Sequence, residues 1–404
     1  MSMKMVDGTK LDASLEATAD AIRVLKGGAD PIHFDMDHGT GFSTAIITED
    51  EGYITFSSAE SFTLSNYTGK KTWFGKLEYS KDKETWTEWR DDDHAEFVSE
   101  VSSAYDGEKY VLYLRGTDNA IISAPLDSGS YLDEDPVPFV LTGSDISCTG
   151  NIEMLLDYRI ACAGMHPAMG KRCFCRLFYG CAALVEAPRL PAPILSKDCY
   201  EEMFLDCTGL TASPELPAMS LAHGCYSGMF KGCTGLLTAP ELPALYIARR
   251  CYENMFEGCT ALEEAPELPA TDFGGYGLTN CYSGMFKGCT ALTKAPALPA
   301  PSPCMYAYAE MFSGCASLAA IPEIPALSIN MFCCQSMFDG CYSVLISETQ
   351  TEECPYEYRI PSDGTGTADY GALTDMFANT GGDFTGSPSL NTTYYTNRPP
   401  VPAV

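Results

Sequence analysis

CYSGMFKGCTGLLTAPELPA, residues 225–244, is written repeatedly through the second half of this chain. It reads CYEEMFLDCTGLTASPELPA from Cys199, CYENMFEGCTALEEAPELPA from Cys251 and CYSGMFKGCTALTKAPALPA from Cys281. Blurred copies start at Cys173, Ala307 and Cys333. Self-similarity at a step of 26 residues (Cys199 to Cys225, Cys225 to Cys251) marks a repeat architecture. Each unit of such a fold buries its apolar face only against its neighbours.

Within one copy the letters divide the labour. Tyr226, Met229 and Phe230 fall at helical spacing after Cys225, so a short helical turn is expected to aim them at the core, with Gly232 ending it. Cys233 and Leu236 re-enter the core. TAPELPA then runs extended, because Pro240 and Pro243 cannot sit inside a helix and remove donors from any ladder. The expected structural core of the unit is therefore Cys225, Tyr226, Met229, Phe230, Cys233 and Leu236. The two cysteines of each clear unit read either as a disulfide or as two columns of buried thiols, since Cys packs as a small hydrophobe. The odd total of 19 leaves at least one thiol free, and Ala307 replaces the first cysteine of the sixth unit while Cys315 keeps the second. Cys304 lies nearby and is placed to substitute for it.

Outward from the repeats the chain changes character. Residues 9–26 have the pattern of a helix: Thr9 and Asp12 form a weak capping box, and Gly27 and Gly28 stop it. Leu11, Leu15, Thr18, Ile22 and Leu25 step by three and four, a seam suited to self-association. Residues 31–142 read as a small β-sandwich, with short alternating runs such as YITFSS from Tyr53 and KYVLYLRG from Lys109, and all three Trp residues. Residues 143–172 are the expected cap on the first repeat, 173–345 the repeat body, and 346–404 a terminal unit around Met376 and Phe377 followed by a Pro-rich tail.

Composition excludes several classes of function. A net charge of −29 repels nucleic-acid phosphates and acidic membranes. No apolar run is long enough to insert in a bilayer, and the N-terminus lacks the pattern of a secretory signal. His33, His38, His94, His166 and His223 show no metal spacing, and the cysteines lack zinc spacing. No nucleophile elbow, phosphate loop or dinucleotide fingerprint occurs. The expectation is a protein without catalytic residues, metal or cofactor. The acidic clusters at 91–93 and 133–135 lack the ligand order of a calcium loop and read as solvated turns.

The pattern M-F-x-G-C-x-x-L followed by an extended apolar rung resembles the BspA-like leucine-rich repeats, found in surface and secreted proteins of gut and oral bacteria and in their phages. The resemblance covers residues 173–345 and departs from the family where P-E-L-P replaces an Ile-rich strand. LEYSKDKETWTEW and SCTGNIEMLLDY resemble the module that often precedes such repeats, and DGTKLDASLEATADAIRVLKGG resembles the N-terminal helix of tail and fibre-type phage proteins. The expected fold class is then mixed: an N-terminal helix, a small β-sandwich, and a leucine-rich-repeat solenoid of about seven units of 26 residues with atypical capping ends.

The resemblance implies a virion protein that binds a host-cell surface protein or glycan through its repeats and other virion proteins through its N-terminal segment, as a homo-oligomer. A bacterial cell-surface adhesin is the alternative. Two features are candidates for the binding site. One position of the rung varies inside a fixed frame and holds Arg189, Glu215, Glu241, Glu267, Ala297 and Glu323. The step from Cys251 to Cys281 is 30 residues, and the extra stretch carries Gly274, Gly275, Gly277 and the aromatic Tyr276.

Overall fold

The computed structural model of the chain describes residues 52–65, 76–89, 100–123, 136, 138–273, 278–364 and 371–403. The N-terminal part of this body is sheet. Its strands are β1 (Ile54–Ser58), β2 (Thr63–Ser65), β3 (Leu77–Ser80), β4 (Thr87–Trp89), β5 (Val101–Ser102), β6 (Ala104–Tyr105), β7 (Tyr110–Gly116), β8 (Val140–Thr142) and β9 (Ile146–Thr149). β-Branched and aromatic runs favour this state, and β7 (YVLYLRG) is the longest. β7 pairs antiparallel with β1 (Ile54 opposite Leu114) and with β3 (Tyr79 opposite Leu114). β3 and β4 form a hairpin whose turn is closed by Asp82, which accepts the N–H groups of Glu84 and Thr85. Those two donors stabilise the carboxylate and hold its pKa at about 2. β2, β5 and β8 make a separate three-stranded sheet, and Ile54, Phe56, Leu64, Leu112, Leu114, Phe139 and Leu141 belong to the buried core.

One short helix follows, α1 (Met154–Cys162), interrupted at Asp157. It buries Met154, Leu155 and Leu156. Asp157 is nearly buried and accepts hydrogen bonds from the Arg159 guanidinium at 2.7 Å and 3.1 Å, which hold its carboxyl well below the usual carboxylate range. The sheet then runs directly into the repeats. β10 (Leu184–Glu186), in the first unit, pairs parallel with β9, making a seven-stranded sheet ordered β10-β9-β1-β7-β3-β4 with β6 on β7.

The repeats are built from turns. In the third unit, Gly224, Tyr226, Gly228, Phe230 and Gly232 send their N–H groups to Arg249, Cys251, Glu253, Met255 and Glu257 of the next unit. The residues between them, Cys225, Ser227, Met229, Lys231 and Cys233, donate to carbonyls three residues back. Every fourth residue has positive φ: Gly224 (59°), Gly228 (59°) and Gly232 (73°), then Arg250, Asn254 and Gly258. A left-handed residue at each fourth place stops an α-helix from propagating and turns alternate N–H groups outward to the neighbouring unit. At Gly232 a side chain is doubly disfavoured, because a Cβ would also lie 2.1 Å from Asp206 Oδ1.

This ladder stacks the side chains in columns. Phe178, Phe204, Phe230, Phe256, Phe286, Phe312, Phe338 and Phe377 lie ring on ring, with centroids 5.4 to 5.8 Å apart. Cys225, Tyr226, Met229, Phe230, Cys233 and Leu236 are all buried. All 19 cysteines are free thiols, and the second column has a defined task. From Phe178 to Phe312 each Phe carbonyl accepts an N–H from the second cysteine of its own unit, and the second cysteine of the next unit adds its S–H, as in Cys233 to Phe204, Cys259 to Phe230 and Cys289 to Phe256, at 3.1 Å each. A small apolar side chain with one weak donor meets that need.

The C-terminal part interleaves with the last units. Its strands are β11 (Ser328–Ile329), β12 (Leu345–Ser347), β13 (Tyr356–Arg359), β14 (Asp363–Gly364), β15 (Gly381–Gly382) and β16 (Thr393–Thr396). β13, β16, β12 and β15 form one sheet in that order, and β11 pairs with β14. Met376 and Phe377 continue the ladder: the N–H of Phe338 donates to the carbonyl of Met376. Thr380 stands at the second-cysteine position and donates to the carbonyl of Phe377 in its own unit.

The mixed class expected from the sequence is thereby corrected. The regular elements among the described residues are strands and sheets, with a single short helix, Met154–Cys162. They do not form the leucine-rich-repeat solenoid of the expectation. The residues after Cys225 make no helical turn, because positive φ recurs too often, and the proline-bearing rungs make isolated bridges such as Ala212 with Thr238 instead of a continuous sheet. The helix expected over 9–26 lies outside the described residues, as do the acidic clusters at 91–93 and 133–135.

Candidate binding face

The rung half of each unit alternates inward and outward. Leu242 and Ala244 are buried, while Glu241, Pro243 and Leu245 face out. The same alternation places Glu215, Pro217 and Met219 on the second unit and Glu267, Pro269 and Thr271 on the fourth. Register between rungs is fixed by hydrogen bonds at their ends. The N–H of Leu245 reaches the carbonyl of Met219 (3.2 Å), and the N–H of Leu221 that of Tyr246 (2.8 Å). Parallel bridges join Ser220, Tyr246 and Asp272 in sequence. On the second to fourth rungs the outer face therefore carries a column of carboxylates, a column of prolines and a third column of Met219, Leu245 and Thr271, with rungs about 4.8 Å apart.

The residues singled out from the sequence fall as follows. Glu215, Glu241 and Glu267 are exposed on three successive rungs, and among the described residues no cation pairs with them. Ala297, half-buried, ends that run. Arg189 is exposed on the first rung, where its backbone is paired with residues 150–152: its N–H donates to Gly150 and its carbonyl accepts from Ile152. Glu323, on the sixth rung, is engaged by the chain's own tail. Its N–H donates to Val401, and its carboxylate lies 3.4 Å from the N–H of Ala403. The six positions thus divide into a central run of three acids, the uncharged Ala297, and two ends, Arg189 and Glu323, engaged by other segments of the chain. Tyr276 lies outside the described residues.

The turn side of the same units is different. There Lys231 pairs with Glu257 of the next unit (2.7 Å), Arg176 with Glu202, and Lys287 with Glu310. Glu202, Glu257 and Glu310 on that side thus have counter-charges built in, whereas Glu215, Glu241 and Glu267 on the rung side have none among the described residues.

What the sequence reading missed is the apolar patch. Met219, Leu245 and Leu327 are exposed by 48, 47 and 70 %, and the neighbouring Ile194 and Tyr246 by 82 and 68 %. Single exposed apolar residues are ordinary, but Met219 and Leu245 stand at one position of two adjacent rungs with Tyr246 beside them, a local patch that is a sign of an interaction surface, while Ile194 and Leu327 lie on the first and sixth rungs. The signal was available: the outward alternation of Glu241 and Pro243 continues to Leu245 without a break.

Other polar clusters in the described body are structural in kind. Glu153, buried, is met by His166 Nδ1 at 2.9 Å beneath the first unit. Arg115 lies over the Trp86 and Tyr158 rings and pairs with Glu78 at 2.8 Å. Among the described residues no group of His, Cys, Asp and Glu is arranged to hold a metal ion, and no helix is long and apolar enough to cross a membrane. No protein-family model, curated protein or solved structure matches the chain.

Proposed function

We propose that this chain is a non-enzymatic virion protein of the phage tail or fibre type, whose repeat region recognises a receptor on the host cell. The observation that carries the reading is the registered outer face, on which uncompensated Glu215, Glu241 and Glu267 run beside exposed Met219, Leu245 and Tyr246. Such a face suits an extended target with basic or hydroxyl groups along one edge and apolar surface along the other. The virion setting is supported by the resemblance of the N-terminal segment to tail and fibre-type proteins. The likeness of the repeats to BspA-like surface proteins favours a bacterial adhesin as the second reading. Neighbouring capsid, portal and tail genes support the first, and a secretion or polysaccharide locus the second.

The test of the face is binding of the labelled full-length chain to a panel of gut-bacterial strains. Wild type is compared with the triple variant Glu215→Gln, Glu241→Gln, Glu267→Gln and with the double variant Met219→Ser, Leu245→Ser. Both variants are expected to weaken binding at least tenfold, the first mainly at low salt. Binding by both variants equal to wild type overturns the reading.

A further inference from the structure

We infer that Cys281 and Cys304 form an oxidation site, closed to a disulfide by a low-molecular-weight disulfide of the glutathione type. Their sulfurs lie 3.6 Å apart and share a hydrogen bond. Among the described residues, the sulfurs of the adjacent Cys333 and Cys334 also lie close, at 3.8 Å. Bridging neighbours requires a strained eight-membered ring, whereas Cys281 and Cys304 belong to separate rungs of the ladder and face one another across them.

The pair arises from a break in the repeat. The first-column cysteine of the sixth unit is replaced by Ala307, and Cys304 stands three residues earlier, after Pro301 and Pro303. Thr279 and Met305 are bridged in parallel, and Asn280 donates its N–H to the carbonyl of Met305, which brings the two segments side by side. In the second to fourth units the first column supplies one thiol per unit, Cys199, Cys225 and Cys251. Here the departing chain delivers a second sulfur to the first.

The two thiols are not equivalent. Cys281 is fully buried, and Cys304 retains 8 % exposure at the edge of the core. The shared hydrogen bond favours the thiolate of Cys304 and pushes the Cys281 thiol up. The sequence of steps follows. The Cys304 thiolate attacks the small disulfide, forming a mixed disulfide and releasing one thiolate. Cys281 then loses its proton and attacks the Cys304 sulfur, expelling the second thiolate. Two protein thiols become one disulfide, and one small disulfide becomes two small thiols. In a reducing compartment the pair stays open, and in an oxidising one it closes and ties the fifth unit to the segment entering the sixth. This inference does not depend on the receptor reading.

The experiment uses the full chain, purified reduced, freed of reductant and incubated with oxidised glutathione. Remaining thiols are alkylated and the chain is digested with trypsin without reduction. Lys287 and Lys294 lie between the two cysteines, so the bridge joins separate peptides, and fragmentation assigns the linked residues. The expected product is a Cys281–Cys304 link, two hydrogens lighter, forming at least tenfold faster than conversion of any other buried cysteine and reversed by dithiothreitol. Cys281→Ser is expected to leave Cys304 carrying glutathione, and Cys304→Ser to abolish the link. Recovery of both residues alkylated, while exposed Cys162 is fully converted, overturns the inference on wild-type protein alone. Linkage of Cys304 to a different cysteine does so equally.

Discussion

The N-terminal sheet and the repeat ladder solve the same problem with different means. In the sheet, strands far apart in sequence are matched by antiparallel register, as β1 with β7, and each position of the core is filled by a different side chain. In the ladder, register comes from one rule applied at every second residue, and a column such as that of Phe178 to Phe377 is filled by one type of side chain. The sheet's specificity lies in its jigsaw of distinct shapes, and the ladder's in repetition. A change in the sheet should be felt through a shared core. A change in the ladder should be felt by the units above and below.

The sharpest way to break that contrast is Phe230→Ala. The ring is fully buried and stacked on Phe204 at 5.6 Å and Phe256 at 5.7 Å. Its removal is expected to cost about 3–5 kcal/mol in chemical denaturation. Hydrogen exchange should rise in the second and fourth units, while β1 and β7 remain protected. A loss under about 1 kcal/mol, or exchange spreading evenly into the sheet, would contradict the nearest-neighbour picture.

The contrast also explains what was legible in the sequence. The inward residues of a unit were readable because a column repeats one letter: Phe at 204, 230, 256 and 286 admits little besides burial. The local conformation was not. Tyr226, Met229 and Phe230 are spaced alike for an α-helix and for successive four-residue turns, so periodicity alone cannot separate them. Gly224, Gly228 and Gly232 do mark every fourth residue in the third unit, yet the second unit puts Asp198, Glu202 and Asp206 at the same left-handed places, with φ from 52° to 60°. The acidic column was readable as a variable letter in a fixed frame. Met219 and Leu245 were marked only by the continued outward alternation, which is masked because they follow buried Ala218 and Ala244 and look like more core.

Asp157 tests the junction between the two regions. Its carboxyl is held below the ordinary range first by Arg159, and the folded value lies under that of the unfolded chain. Such a group adds stability above the unfolded carboxylate value of about 3.9, and the contribution drains away as pH falls below it toward the folded value. Asp157→Asn is expected to cost about 1.5–3 kcal/mol at neutral pH. The gap to wild type should narrow steadily in denaturation series taken below about pH 4. A gap independent of pH would assign the loss to packing.

A smaller effect separates position from conformation within one column. Gly180 and Gly232 occupy the same place in the first and third units, with φ of 72° and 73°. A Cβ on Gly180 meets nothing within 4 Å, whereas one on Gly232 meets Asp206 Oδ1. Gly180→Ala should therefore show only the left-handed penalty of about 1–2 kcal/mol. Gly232→Ala should exceed it by the displacement of Asp206, and Asp206→Ala in the same chain should recover that excess. Equal losses at the two sites would mean that Asp206 moves aside freely.

The smallest effects carry the sign that distinguishes the two faces of the ladder. On the turn side Glu257 is paired with Lys231, so Glu257→Gln should lower stability by about 0–1 kcal/mol. On the rung side Glu241 stands between Glu215 and Glu267, about one rung from each, with no cation paired to it among the described residues. Glu241→Gln should leave stability unchanged or raise it by a few tenths of a kcal/mol, and the gain should vanish in about 1 M salt, where the screening length is ~3 Å. Denaturation of the two variants at low and high salt makes the comparison. Like charges held in register without counter-ions do nothing for the fold, so opposite signs would mean that the rung-side acids are retained for something outside it. Equal, negative signs would place Glu241 in the scaffold and remove the acidic column from the binding face.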